Sequence, residues 1–396
     1  MTSEIVPWTA LLLIAAVVGV LARRLHVPYS IGLVVAGIGL AFVPWRPGLT
    51  LTRDIVYTGL LPPLIFEAAY ELRWTSLMSK LPLVATLATV GVVLSALATG
   101  AVLLAVGGWP VSAALVFGIV TAATDPVTVV ATLKETGARG SLALVIEAES
   151  LFNDGTAAVL FAIAIGFGAG VPLTFQAAAL MLLVTVSVGV LAGATVAALV
   201  LLLVGRTDDH LLEVTLTTVA AYGSFLLAEH FSGSGVLATL TAGVLLGNLG
   251  TRWRFFSAAG DRTIRSTWEF ITFVANSFVF LLIGLATGQE NFAGLWWTAG
   301  LAVVAALAGR AAAVYPLCAL FSPDAGGISK TQQHALMWGG LRGALGLALA
   351  LSIPEGFGWR HPIIVATFAV VAFSIIVQGL SCRPLLRRAT EAAPTA

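Results

Sequence analysis

Apolar residues run through this chain in long blocks separated by short polar stretches. A helix crossing the hydrocarbon core of a bilayer needs about 20 such residues. The blocks predict thirteen spans, at 5–22, 28–44, 54–72, 82–106, 111–132, 140–168, 172–204, 211–230, 234–249, 267–287, 293–320, 331–353 and 361–382. Some exceed the bilayer thickness and must tilt or extend beyond it. The first is followed, not preceded, by its basic residues Arg23 and Arg24 and has no small-residue cleavage site. It reads as a retained helix and not as a signal peptide.

Composition agrees with the pattern. Of 396 residues, 59% are hydrophobic and 10% charged, with a mean hydropathy of +1.00, whereas soluble domains carry about 25% charged residues. The bilayer must be the solvent for most of this surface. Basic residues in the loops set the orientation. With the N-terminus outside and the C-terminus inside, Arg23, Arg73, Lys80, Lys134 and Arg387 fall among the many cytoplasmic basic residues, against only Arg46, Arg53 and Arg360 on the other face. Thr251 to Arg265, with four arginines among Trp253, Phe255 and Phe256, is expected along the cytoplasmic interface. A net charge of +1 gives no reason to expect nucleic acid as a partner. Cys318 and Cys382 form neither a disulfide framework nor a metal-ligand pattern. The five histidines lie at span ends or in loops without companions at ligand spacing, so no transition-metal site is expected.

Against this apolar background three segments stand out. Residues 145–155, V-I-E-A-E-S-L-F-N-D-G, place Glu147, Glu149 and Asp154 in span six, where a charge near the bilayer centre costs about 3 kcal/mol on insertion scales. On a helix Ser150 shares a face with Asp154, and Glu149 stacks with Asn153. Span five contains T-A-A-T-D-P-V, 121–127. Pro126 removes a backbone donor there and frees carbonyls beside Thr124 and Asp125. Span twelve contains W-G-G-L-R-G-A-L-G, 338–346, four glycines around Arg342, an arginine that needs an acidic partner. The two interruptions run in opposite directions and read as an inverted repeat with a site at its interface. Counting ~1.5 Å per residue puts Glu67, Asp125, Asp154 and Arg342 some 16 to 20 Å deep, near the midplane of a ~30 Å core.

Other polar residues carry weaker signals. Glu147, about two turns nearer the cytoplasm than Asp154, fits an entrance or a structural pair equally well. Glu213, Glu229 and Glu269 lie near span ends, where snorkelling is the simpler reading. Asn276 and Ser277 fit bonds between helices better than a cavity. Arg310 is deep in span eleven with no partner evident.

These residues resemble the cation–proton antiporters of the NhaP and Na+/H+ exchanger branch. The likeness rests on P-P-L-I-F-E-A-A (62–69), T-D-P-V (124–127), E-A-E-S-L-F-N-D-G (147–155), N-S-F-V-F-L-L-I-G-L (276–285) and G-G-L-R-G-A (339–344), five motifs in order along the chain. Ala148 stands where the family has glycine, and Thr128 where alanine is common. The resemblance implies an all-α polytopic fold of thirteen helices with inverted repeats and two broken, crossing helices. Residues 1–388 would form one membrane unit, with a core of spans three to six and ten to thirteen, a homodimerisation scaffold from the rest, and a short cytoplasmic tail at 389–396. It also implies that Asp154, Asp125, Glu67, Ser150 and Thr124 bind Na+ or a proton, with Asn153 and Pro126 supporting them. Glu149 would pair with Arg342 as a structural bridge.

The residue chemistry is compatible with those implications. A hard monovalent cation takes oxygen ligands. Removing a carboxylate from water favours its protonated form, and a neighbouring cation favours the charged one. Competition at one carboxylate therefore couples the two fluxes, and exchange of Na+ (or Li+) for H+ across the cytoplasmic membrane is expected, electroneutral as the resemblance implies through Asn153 beside Asp154. The chain has no P-loop, and no cofactor or enzymatic activity is expected. Exchange of K+ for H+ on the same scaffold, and a cation channel using the acidic cluster as a filter, remain the alternatives.

Overall fold

The computed structural model describes residues 2–25, 27–43, 51–125, 127, 129, 141–168, 175–205, 209–250, 252–253, 255–322 and 327–391. They form helices in the order the apolar blocks predict. These are α1 (Thr2–Leu25), α2 (Tyr29–Ala41), α3 (Ile55–Leu60 continuing as Leu61–Glu71), α4 (Trp74–Gly107), α5 (Val111–Val120), α6 (Ser141–Gly168) and α7 (Phe175–Val204). There follow α8 (His210–His230), α9 (Gly235–Gly250), α10 (Ala258–Gln289), α11 (Trp296–Ala319), α12 (Lys330–Gly339), α13 (Ala344–Leu351) and α14 (Arg360–Phe373 continuing to Glu391). Among the described residues, eight helices are long and apolar enough to cross a membrane, and Tyr29–Ala41, Val111–Val120 and Gly235–Gly250 are shorter apolar helices. Pro126 and Thr128 lie outside the described residues.

Packing sorts the helices into two groups. In one, α4 packs on α5, α6 and α11, and α14 packs on α11, α12 and α13. In the other, α2 packs along α10, and α9 packs on α3, α7 and α8. Spans three and ten, expected in the core, thus pack chiefly with α9 and α2. Much of their buried surface faces that way: the Phe66 ring of α3 lies 4.6 Å from that of Trp268 of α10, tilted by 39°, and the Trp268 indole N–H donates to Thr217 of α8 at 3.0 Å.

The α2–α10 contact shows what the glycines in this apolar sequence do. A Cβ on Gly284 would lie 2.2 Å from the carbonyl oxygen of Val34, and one on Gly37 would lie 2.2 Å from that of Leu281. The two backbones touch, and in hydrocarbon such close approach supplies the dispersion attraction that apolar side chains cannot gain by leaving lipid.

One expectation is corrected at the α8–α10 junction. Helix α10 begins at Ala258 under a Ser257 cap, so Ala258 to Arg265 forms its first two turns. Glu213 does not snorkel: it is fully buried and accepts hydrogen bonds from the Ser257 backbone N–H and hydroxyl. A carboxylate at a helix N-terminus is favoured by the orphan amides and the dipole there.

Gly284→Ala should lower thermal stability in detergent by roughly 1–3 kcal/mol, the usual cost of overpacking. Gly39→Ala, where a Cβ would meet nothing within 4 Å, should be neutral or stabilising by up to ~1 kcal/mol through helix propensity. Equal melting shifts in the two variants would contradict the backbone contact.

Candidate functional site

The site forms where the two interrupted helices cross. Helix α5 stops at Val120, five residues before Asp125, and α12 and α13 are separated by Gly340, Leu341, Arg342 and Gly343. The loose backbone of each break is satisfied by the other. Asp125 N–H donates to the Leu341 carbonyl at 2.7 Å in an isolated antiparallel bridge. Arg342 donates from Nη1 to the carbonyls of Ala122 and Ala123 at 2.9 and 3.2 Å, at the C-terminal end of α5. A cation at that end is favoured by the helix dipole. The Asp125 carboxylate accepts the Val127 N–H at 2.9 Å and faces the N–H of Ala344. It thereby caps α13, which has no capping side chain of its own.

Gly343 makes this approach possible, since a Cβ there would lie 2.1 Å from Asp125 Oδ2. Gly340 plays the same part for Arg310, whose Nε would be 2.6 Å from an added Cβ. Two glycines of the G-G-L-R-G run thus make room for charged groups arriving from other helices.

Helix α6 is bound to the crossing by a polar cluster. Asn153 donates from Nδ2 to Thr124 Oγ1 at 2.7 Å and to Glu149 Oε1 at 2.9 Å. Thr124 and Ser150 share a hydroxyl hydrogen bond of 2.9 Å. All four side chains are buried. Glu149 is held in a two-pronged ion pair by Arg310 of α11, with Nη1 to Oε1 at 2.8 Å and Nη2 to Oε2 at 3.0 Å.

This pair corrects the expectation for Glu149. Its partner is Arg310, and Arg342 serves the carbonyls of the broken helix instead. Depth could have shown this. Arg310 is 14 residues past Trp296 at the start of α11, or ~21 Å, leaving ~9 Å of a ~30 Å core. Glu149 is eight residues past Ser141, or ~12 Å from that same side. Arg342 lies deeper.

A cavity of about 250 Å³ opens beside the crossing, between the two helix groups. Its lining brings together Glu67 of α3, Thr124 and Asp125 of the break, Glu147 and Asp154 of α6, and Gly343 to Gly346. Ser150 stands behind this wall, bonded to Thr124. Pro126 lies outside the described residues. The opposite wall adds Glu269, Thr272 and Asn276 of α10. Glu269, expected to snorkel, and Asn276, expected to bond between helices, both face the cavity, and their spacing along α10 was the available sign. Ser277 does bond between helices, to Tyr29 at 2.8 Å. No Lys or Arg is among the described lining residues. Asp154 Oδ1 is buried with no hydrogen-bond partner among them.

By fold and site, the molecule is a polytopic helical membrane protein built on a crossed pair of interrupted helices over an acidic cavity. The chain belongs to the sodium/hydrogen exchanger family: residues 11–388 match the family described as "Sodium/hydrogen exchanger, transmembrane". It is 38% identical to the Na(+)/H(+) antiporter ApNhaP of Aphanothece halophytica, over 92% of this chain and 70% of the relative. It is 34% identical to the Na(+)/H(+) antiporter NhaH of Halobacillus dabanensis, over 96% of each. Its fold matches that of the sodium proton antiporter MjNhaP1 from Methanocaldococcus jannaschii with a TM-score of 0.78, at 20% identity over 98% of both chains.

Double-mutant cycles should give a larger coupling energy for Glu149 with Arg310 than with Arg342. Arg310→Ala alone should cost about 3–5 kcal/mol of thermal stability, the penalty for breaking a buried pair and stranding its carboxylate. Stronger coupling to Arg342 would reverse the assignment.

Proposed function

We propose that this protein exchanges Na+ (or Li+) for H+ across the cytoplasmic membrane by alternating access, with Asp154 as the carrier. The observation that carries this reading is the buried Oδ1 of Asp154, without a hydrogen-bond partner among the described residues and facing a cavity whose other described charged groups are carboxylates. The names of the relatives support Na+ as the cation.

A cation stripped of water needs anionic oxygens around it, and the cavity presents Asp154, Asp125, Glu67 and Thr124. Ser150 holds the Thr124 hydroxyl in place. A proton arriving at Asp154 cancels the charge that holds Na+, so each ion displaces the other, and no cofactor is required. Asn153, neutral where a second carboxylate would add charge, supports an electroneutral exchange. Its amide is committed to Thr124 and Glu149. The Glu149–Arg310 pair is internally neutralised and takes no part in the exchange.

We place the N-terminus outside and the C-terminus in the cytoplasm, with thirteen spans and a homodimer built on the helix group of α1–α3 and α7–α10. The loop charges support the orientation. The exposed apolar faces of α1 and α7, among them Leu13, Leu180, Leu183 and Leu191, suit lipid or a second copy.

Asp154→Asn should reduce Na+-driven proton flux in everted vesicles to background with normal expression, and sustained exchange in that variant would remove Asp154 from its role. Gly343→Ala, which forces Asp125 away, should also depress the flux strongly while the Na+ stimulus is saturating. An electroneutral exchanger should generate no steady current on a supported membrane when Na+ is applied.

A further inference from the structure

A second space, about 470 Å³, lies beside the first on the face that carries Arg73 and Lys80. Its walls include Glu71 at the end of α3, Ser79 and Lys80 of α4, and Ser141, Leu144 and Glu147 of α6. Of the described lining residues, Glu147 alone belongs to both spaces.

Helix register joins the two spaces. Ser141, Leu144 and Glu147 face the outer one, and Glu147, Leu151 and Asp154 the inner one. Steps of three, three, four and three keep all five on one face of α6, a stripe of ~20 Å. Across from it, α3 runs the other way. Leu64, Glu67 and Ala68 line the inner space, and Glu71 and Leu72 the outer. Both helices pass between the two spaces, α6 from the outer to the inner and α3 from the inner to the outer.

We propose that the two spaces are lengths of a single corridor, and that Glu147, at the neck, receives the dehydrating cation on its way to Asp154. This rests on the exchange reading above. In the wide outer length a cation keeps its water and needs no ligand. There Glu71 is engaged by Arg265, and Lys80 is held on the Gly327 carbonyl at 3.1 Å. Hydration is lost where the passage narrows, and there a single carboxylate replaces part of it. From Glu147 to Asp154 is seven residues, a step of ~10 Å along the helix.

The test uses the full chain in membranes, where the native Cys318 and Cys382 are buried and give a quiet background. Leu151→Cys lines the inner space. It should react with a membrane-impermeant cationic methanethiosulfonate applied on the Lys80 side, and adding Glu147→Trp should slow that reaction at least about tenfold. An unchanged labelling rate would show that the passage runs elsewhere, and this readout does not depend on transport. Separately, Glu147→Gln should raise the half-saturating Na+ concentration about tenfold, equivalent to about 1.4 kcal/mol, with the saturated rate nearly unchanged. Glu147→Asp should restore it. An unaltered half-saturating concentration in Glu147→Gln would leave the corridor but remove Glu147 from it. Loss of all Na+ dependence in the parent chain, with labelling as expected, would count against the exchange reading alone.

Discussion

Backbone amides and carbonyls released inside a membrane must find partners, because each left alone there costs several kcal/mol. Everything near the centre of this protein follows from how that demand is met. The two breaks supply each other, through the Asp125–Leu341 bridge, the Arg342 contacts to Ala122 and Ala123, and the Asp125 cap on α13. A charge in each break is thus committed to the backbone of the other. The pair can be irregular at membrane depth only because they cross.

Much of this was legible in the sequence. Carboxylates in apolar runs are expensive enough to announce themselves, so Glu67, Asp125 and Asp154 could be set at one depth by counting residues, and the structure gathers them around one cavity. What failed was partner choice. Arg342 was expected to seek a carboxylate: Pro126 marks carbonyls set loose in span five, but nothing in the sequence matches that arginine to them. Glu213 was misjudged for a related reason. Its position near a span end suggested water, whereas the start of α10 folds over it and supplies donors from Ser257. Such partners are backbone groups brought close by tertiary packing, and hydropathy does not record them.

The glycines divide by the same logic. Gly37 and Gly284 let two backbones touch for packing alone. Gly340 and Gly343 let charged side chains from other helices approach a break. In sequence the two kinds look alike. Only the arrival of Arg310 and Asp125 from elsewhere distinguishes them.

The cavity also straddles the boundary between the two helix groups. Asp125 and Asp154 sit on one side, tied together through Thr124, Ser150 and Asn153, while Glu67 comes from the other side on α3. If the groups slide past one another, the tied pair travels as a unit and only its distance to Glu67 changes. In the proposed exchange Glu67 would then work like a latch. On that reading it would close the ring of oxygens at one end of the stroke and withdraw at the other, so the grip on the cargo would be set by the position of the carriage and not by rearrangement within it.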